Sequence, residues 1–122
     1  MQHPNFIILF AQDPRQSAAF YSNLLDAKPV ELSDTFALFN LQSGMRLGLW
    51  SRHSVAPPLS SGGSAAELAF LLHSDDAVDA CHREWKDKGL PILQEPTVMD
   101  FGRTFLAADP DGYRLRVYAF HG

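Results

Sequence analysis

The chain has 122 residues, of which 46% are hydrophobic and 20% charged, with a formal net charge of -4 and one cysteine. A chain of this length buries about two-thirds of the surface its unfolded form exposes, which is enough for one globular domain. The acidic balance argues against nucleic acid or anionic membrane as partners. Cys81 alone rules out an intrachain disulfide and suits a reducing cytoplasm, and no apolar run is long enough for a signal peptide or membrane span.

Residues 6–10 read as a strand. Asp13 is placed to cap a helix with Pro14 at its first position, and Phe20 and Leu24 repeat at helical spacing toward an end near Asp26. Strands are expected at 30–32, 36–41 and 46–50, separated by Ser33-Asp34 and Ser43-Gly44. Residues 55–64, rich in Pro, Gly and Ser, read as a linker. Beyond it come a strand at 67–72 and a helix at 75–88 with Val78, Cys81 and Trp85 on one face and Gly89 as its stop. Strands at 92–98, 104–108 and 114–120 follow. Cys81 and Trp85 are expected in the core of that helix face.

The chain repeats itself. Ser43-Gly44-Met45-Arg46-Leu47-Gly48-Leu49-Trp50 aligns with Asp111-Gly112-Tyr113-Arg114-Leu115-Arg116-Val117-Tyr118. That alignment sets Gly48 on Arg116 and Trp50 on Tyr118. Earlier in each half, Asn5-Phe6-Ile7-Ile8-Leu9-Phe10 aligns with Glu67-Leu68-Ala69-Phe70-Leu71-Leu72. Offsets of roughly 60 to 70 residues at both places indicate an internal duplication. One domain of two modules is expected, the first at about 1–54 and the second at about 65–122, each a strand, a helix and three strands.

Strand parity then assigns faces, because successive side chains point to opposite sides of a sheet. Leu47, Leu49, Leu115 and Val117 are expected to meet the helices. Arg46, Gly48, Trp50, Arg114, Arg116, Tyr118 and Phe120 then lie on the opposite face. In the first strands, Phe6, Ile8 and Phe10, and Leu68, Phe70 and Leu72, are assigned to the helix side. Asn5 and Glu67 fall on the other. A face that carries both aromatic rings and guanidinium groups suits a cleft better than a dry core.

Paired modules of this order, ending in Asp109-Pro110-Asp111-Gly112, resemble the vicinal oxygen chelate superfamily of glyoxalase I, extradiol dioxygenases and bleomycin- and fosfomycin-resistance proteins. More narrowly, three stretches together resemble phenazine antibiotic resistance proteins. They are Leu47-Gly48-Leu49-Trp50-Ser51, Gln94-Glu95-Pro96 with Asp100-Phe101-Gly102-Arg103-Thr104-Phe105, and the run from Asp109 to Val117. The resemblance implies an α+β fold in which two βαβββ modules form a curved mixed sheet around a cleft, with helices on the outer face. It also implies a homodimer, with modules paired within a chain or swapped between chains.

Metal-dependent members of that superfamily take His and Glu ligands from the first and last strands of the modules. The matching positions here are Asn5, Gly48, Glu67 and Arg116, so no metal or other cofactor is expected. His3, His53, His73, His82 and His121 form no chelating pair in sequence. What remains suits noncovalent capture of a planar aromatic, carboxylated antibiotic such as a phenazine. Trp50 would supply a stacking face, Tyr118, Phe36 and Phe105 an apolar wall, and Arg46, Arg103, Arg114 and Arg116 the anion contacts. Two roles stay open for Arg116, ligand contact or an ion pair with Glu67, and two for Arg103, ligand contact or a tie to the Asp100 turn. The alternatives are a metal-using or Glu67-based enzyme of the same superfamily, and a protein-interaction module.

Overall fold

A computed structural model describes residues 3–56, 58–59 and 66–121. The chain divides into two compact units, Met1–Ser64 and Ala65–Gly122. Unit one contains β1 (Phe6–Ala11), α1 (Pro14–Leu25), β2 (Glu31–Leu32), β3 (Phe36–Asn40) and β4 (Arg46–Ser51). Unit two repeats the order with β5 (Glu67–Leu72), α2 (Asp75–Asp87), β6 (Ile92–Met99), β7 (Gly102–Ala108) and β8 (Arg114–Phe120). Each unit is a four-stranded mixed sheet, ordered β1-β4-β3-β2 or β5-β8-β7-β6, with one helix against it. The first and last strands of each unit pair in parallel, and the other pairs are antiparallel. The α+β class and the duplicated βαβββ order follow the sequence expectation. Residues 57 and 60–64 of the expected linker lie outside the described residues.

Helix α1 starts where Asp13 accepts hydrogen bonds from the backbone N–H groups of Arg15 (3.1 Å) and Gln16 (3.3 Å), with Pro14 at the first position. It ends at Asp26, which holds a left-handed backbone (φ 52°) that glycine adopts more cheaply. The side chains that α1 buries are Pro14, Ser17, Ala18 and Tyr21, so the inward stripe runs one residue away from the expected Phe20. Phe20 instead meets the Tyr21 ring edge-on at 5.1 Å. Helix α2 is capped by Ser74 Oγ, which accepts from Ala77 N–H at 3.1 Å. Asp75 and Asp76 in its first turn and Lys86 in its last complement the helix dipole. Val78 and Trp85 point into the sheet, and Trp85 meets Phe70 and Phe105 edge-on at 5.4 and 5.5 Å.

The register fixes which side chains each sheet turns to its helix. In unit two, Leu68, Phe70 and Leu72 pair with Leu115, Val117 and Ala119 on the helix side. Glu67, Ala69 and Leu71 pair with Arg114, Arg116 and Tyr118 on the open side, as strand parity predicts. In unit one the expected parity of β1 is reversed. Ile7, Leu9 and Ala11 pair with Leu47, Leu49 and Ser51 against the helix. Phe6, Ile8 and Phe10 lie beside Arg46, Gly48 and Trp50 on the open side. Every residue of β1 is apolar, so alternation carried no signal there. The counterpart of Glu67 is therefore Phe6, since these two residues face the equivalent Arg114 and Arg46. Asn5 precedes the strand, is exposed, and meets β4 through its carbonyl, which accepts from Arg46 N–H at 2.9 Å.

Candidate functional site

The open face of the second sheet carries a connected polar cluster. Glu67 sits between two arginines, with Oε2 2.8 Å from Arg116 Nε and Oε1 3.0 Å from Arg114 Nε. Arg116 also donates through Nη1 to Gln94 Oε1 (3.3 Å) and Thr104 Oγ1 (3.1 Å). Thr104 is fully buried and passes its own hydroxyl proton to the Val117 carbonyl at 2.8 Å. Three acceptors thus fix the Arg116 guanidinium, whose side chain is only 15% exposed, while Arg114 stays 50% exposed. Two guanidinium groups against one carboxylate leave the cluster with one net positive charge.

This cluster borders a hollow of about 420 Å³ lined by Leu93, Gln94, Met99, Leu106, Arg114 and Arg116. Its volume lies within the range of small-molecule sites, roughly 300 to 1,000 Å³. Strand β6 shapes one wall. Its register shifts twice around Gln94, so the consecutive side chains of Leu93 and Gln94 both line the hollow. The edge position of β6 also tolerates Pro96, which has no N–H to give a neighbour. Tyr118 lies on the same face, half-buried, with Phe101 edge-on at 5.8 Å.

On the open face of the first sheet, Trp50 and Phe36 meet edge-on at 6.3 Å, and the Arg46 guanidinium lies 4.8 Å from the centre of the Phe6 ring. Gly48 makes room for this arrangement. A Cβ at that position would stand 2.8 Å from Phe6 and 3.0 Å from Phe36, closer than carbon atoms pack.

Two expected site residues belong elsewhere. Phe105 is fully buried on the helix side of β7, opposite Val117, with Trp85 at 5.5 Å and His82 at 5.3 Å. It is core and not ligand wall. Arg103 shares that helix-facing parity, and its Nε meets Asp79 of α2 at 2.8 Å, so it ties the sheet to the helix and is not among the residues that line the hollow. Sequence reasoning missed Leu93, Gln94, Met99, Thr104 and Leu106. Thr104 and Leu106 were within reach, because the antiparallel register of β7 and β8 sets them opposite Tyr118 and Arg116.

The positions that hold metal in related chemistry do not make a ligand set here. In unit one they are a phenyl ring, Phe6, and a glycine, Gly48. In unit two they are Arg116 and a Glu67 carboxylate whose two oxygens already accept from guanidinium groups. A guanidinium cannot ligate a cation and repels it. Among the described residues, no three of His, Cys, Asp and Glu gather at metal-binding distance.

A duplicated βαβββ fold, with arginines on the open face of its second sheet, defines a glyoxalase-like α+β protein. Residues 3–117 match the family model of the Glyoxalase/Bleomycin resistance protein/Dioxygenase superfamily, and the chain belongs to that superfamily. It is 27% identical over 117 residues to the phenazine antibiotic resistance protein EhpR of Enterobacter agglomerans, covering 93% of this chain and 89% of the relative. A protein from Agrobacterium tumefaciens with a solution structure is 53% identical, with a TM-score of 0.91 and full coverage of both chains. A glyoxalase/bleomycin resistance protein/dioxygenase from Nocardioides is 20% identical with a TM-score of 0.85, over 98% of this chain and 84% of the other, a likeness of fold. No helix among the described residues is long and apolar enough to cross a membrane.

Proposed function

We propose that this protein binds a planar aromatic antibiotic carrying a carboxylate, such as a phenazine, and sequesters it without metal and without turnover. The observation that carries the reading is the net positive Arg114–Glu67–Arg116 cluster beside an open hollow of about 420 Å³ whose apolar side chains are Leu93, Met99 and Leu106. Relatedness to EhpR over 93% of the chain supports the same ligand class. A charge-assisted hydrogen bond to the ligand carboxylate contributes about 1.5 to 3 kcal/mol. With apolar burial added, micromolar affinity is expected, about -8 kcal/mol.

A general-base role for Glu67 is poorly served, because both of its oxygens are already engaged by the guanidinium groups of Arg114 and Arg116. Assembly as a homodimer in the cytoplasm belongs to the same proposal. The test is to incubate the purified protein with a phenazine carboxylate for hours and recover the ligand after denaturation. Sequestration predicts calorimetric heat of binding and quantitative recovery of unaltered ligand. Appearance of a product would assign an enzyme instead, and absence of calorimetric heat would remove the binding reading.

A further inference from the structure

We infer that Glu67 sets the charge selectivity of the hollow, so that it takes a monocarboxylate in preference to either a dicarboxylate or a neutral ring. The inference rests on the binding reading above and adds the ligand charge that the site accepts. Arg116 spends its Nε on Glu67 and its Nη1 on Gln94 and Thr104, which leaves Nη2 without a partner among the described residues. Arg114 meets Glu67 through Nε, and its terminal nitrogens are likewise without partners among the described residues. Both side chains line the same hollow.

Glu67 therefore acts as a resident counter-anion. It bridges the two guanidinium groups with one oxygen each, holds them side by side, and cancels one of their two charges. One ligand carboxylate completes the neutralisation. A second carboxylate on the ring would meet Glu67 with no positive charge left to balance it, and a neutral ring would cover the remaining charge without pairing it. At partly exposed positions a few ångströms apart, one unit of charge alters affinity by about tenfold.

The test is a three-by-three comparison at low salt. Unsubstituted phenazine, a phenazine monocarboxylate and a phenazine dicarboxylate are titrated calorimetrically into the wild type, Glu67→Gln and Arg114→Met, each checked for fold by circular dichroism. The wild type is expected to favour the monocarboxylate by about tenfold over both others. Glu67→Gln should shift the preference to the dicarboxylate. Arg114→Met, a change at a half-exposed side chain, should erase the advantage of the monocarboxylate over the neutral ring. If all three ligands bind and the order stays the same in every protein, Glu67 does not set selectivity and the binding reading survives. If the wild type binds none of them, both fall. Should Glu67→Gln fail to fold, the Arg114→Met arm decides, since an undiminished preference for the monocarboxylate there contradicts the assignment.

Discussion

Replacing Thr104 by Val separates hydrogen bonding from burial at the floor of the site. Thr104 is fully buried, and Val keeps its shape while deleting the hydroxyl. Two bonds go with it, the 2.8 Å donation to the Val117 carbonyl and the 3.1 Å bond from Arg116 Nη1. A neutral bond contributes about 0.5 to 1.5 kcal/mol net and one to a charged group about 1.5 to 3 kcal/mol, so the loss is roughly 2 to 4 kcal/mol. Thr104→Ser makes the opposite exchange, keeping the hydroxyl and losing one buried methyl at a cost of about 1 kcal/mol. Urea denaturation followed by tryptophan fluorescence reads both. With a slope of about 1 to 3 kcal/mol per molar, Thr104→Val should lower the midpoint by roughly 1 to 2 M and Thr104→Ser by less. Burial alone predicts the reverse order, because Val is the more apolar residue. A Val variant as stable as the Ser variant would refute the buried network.

Phe105→Ala should cost about 3 to 5 kcal/mol in the same assay, because the ring fills the space between Trp85 and His82. Phe105→Leu should leave ligand affinity within about twofold if the ring lies in the core. Asp26→Gly at the left-handed end of α1 should stabilise the protein by about 1 kcal/mol, measured by thermal melting. The Cys81 thiol is pushed up from 9.0 to about 11 by burial first and then by Glu84, with Lys88 opposing. Its alkylation by iodoacetamide at pH 8 should run about a hundredfold slower than in the urea-unfolded chain. Because the native pKa is raised, that rate should keep climbing with pH beyond 9.

Much of the architecture was readable from local chemistry. Asp13-Pro14 and the residues around Ser74 announce helix starts, and the Asp109 turn, whose side chain accepts from Asp111 and Tyr113 N–H at 2.8 Å, announces the last hairpin. Strand β8 alternates polar and apolar residues, so Arg114, Arg116 and Tyr118 could be put on the open face correctly. Where alternation failed, so did the assignment. Strand β1 is apolar throughout, and its parity was read one residue out, which put Asn5 where Phe6 belongs. Strand β7 is apolar after Thr104, and Phe105 was sent to the wrong face. Arg103 found Asp79 on a helix 24 positions away, a partner set by packing and not by local pattern. The wall built by Leu93 and Gln94 depends on a bulged edge strand, which breaks the period that strand reading relies on. The open question about Arg116 has a structural answer in this state, since it pairs with Glu67 while keeping Nη2 for another partner.

The claim that joins these observations is that Arg116, held by Glu67, Gln94 and Thr104, presents a fixed positive charge to an aromatic carboxylate. Calorimetric titration of a phenazine monocarboxylate into the wild type and into Arg116→Met tests it most directly. The account predicts micromolar, roughly one-to-one binding by the wild type and a loss of at least tenfold in the variant, about 1.4 kcal/mol or more. Equal affinity in the two proteins, or no heat from the wild type, would contradict it.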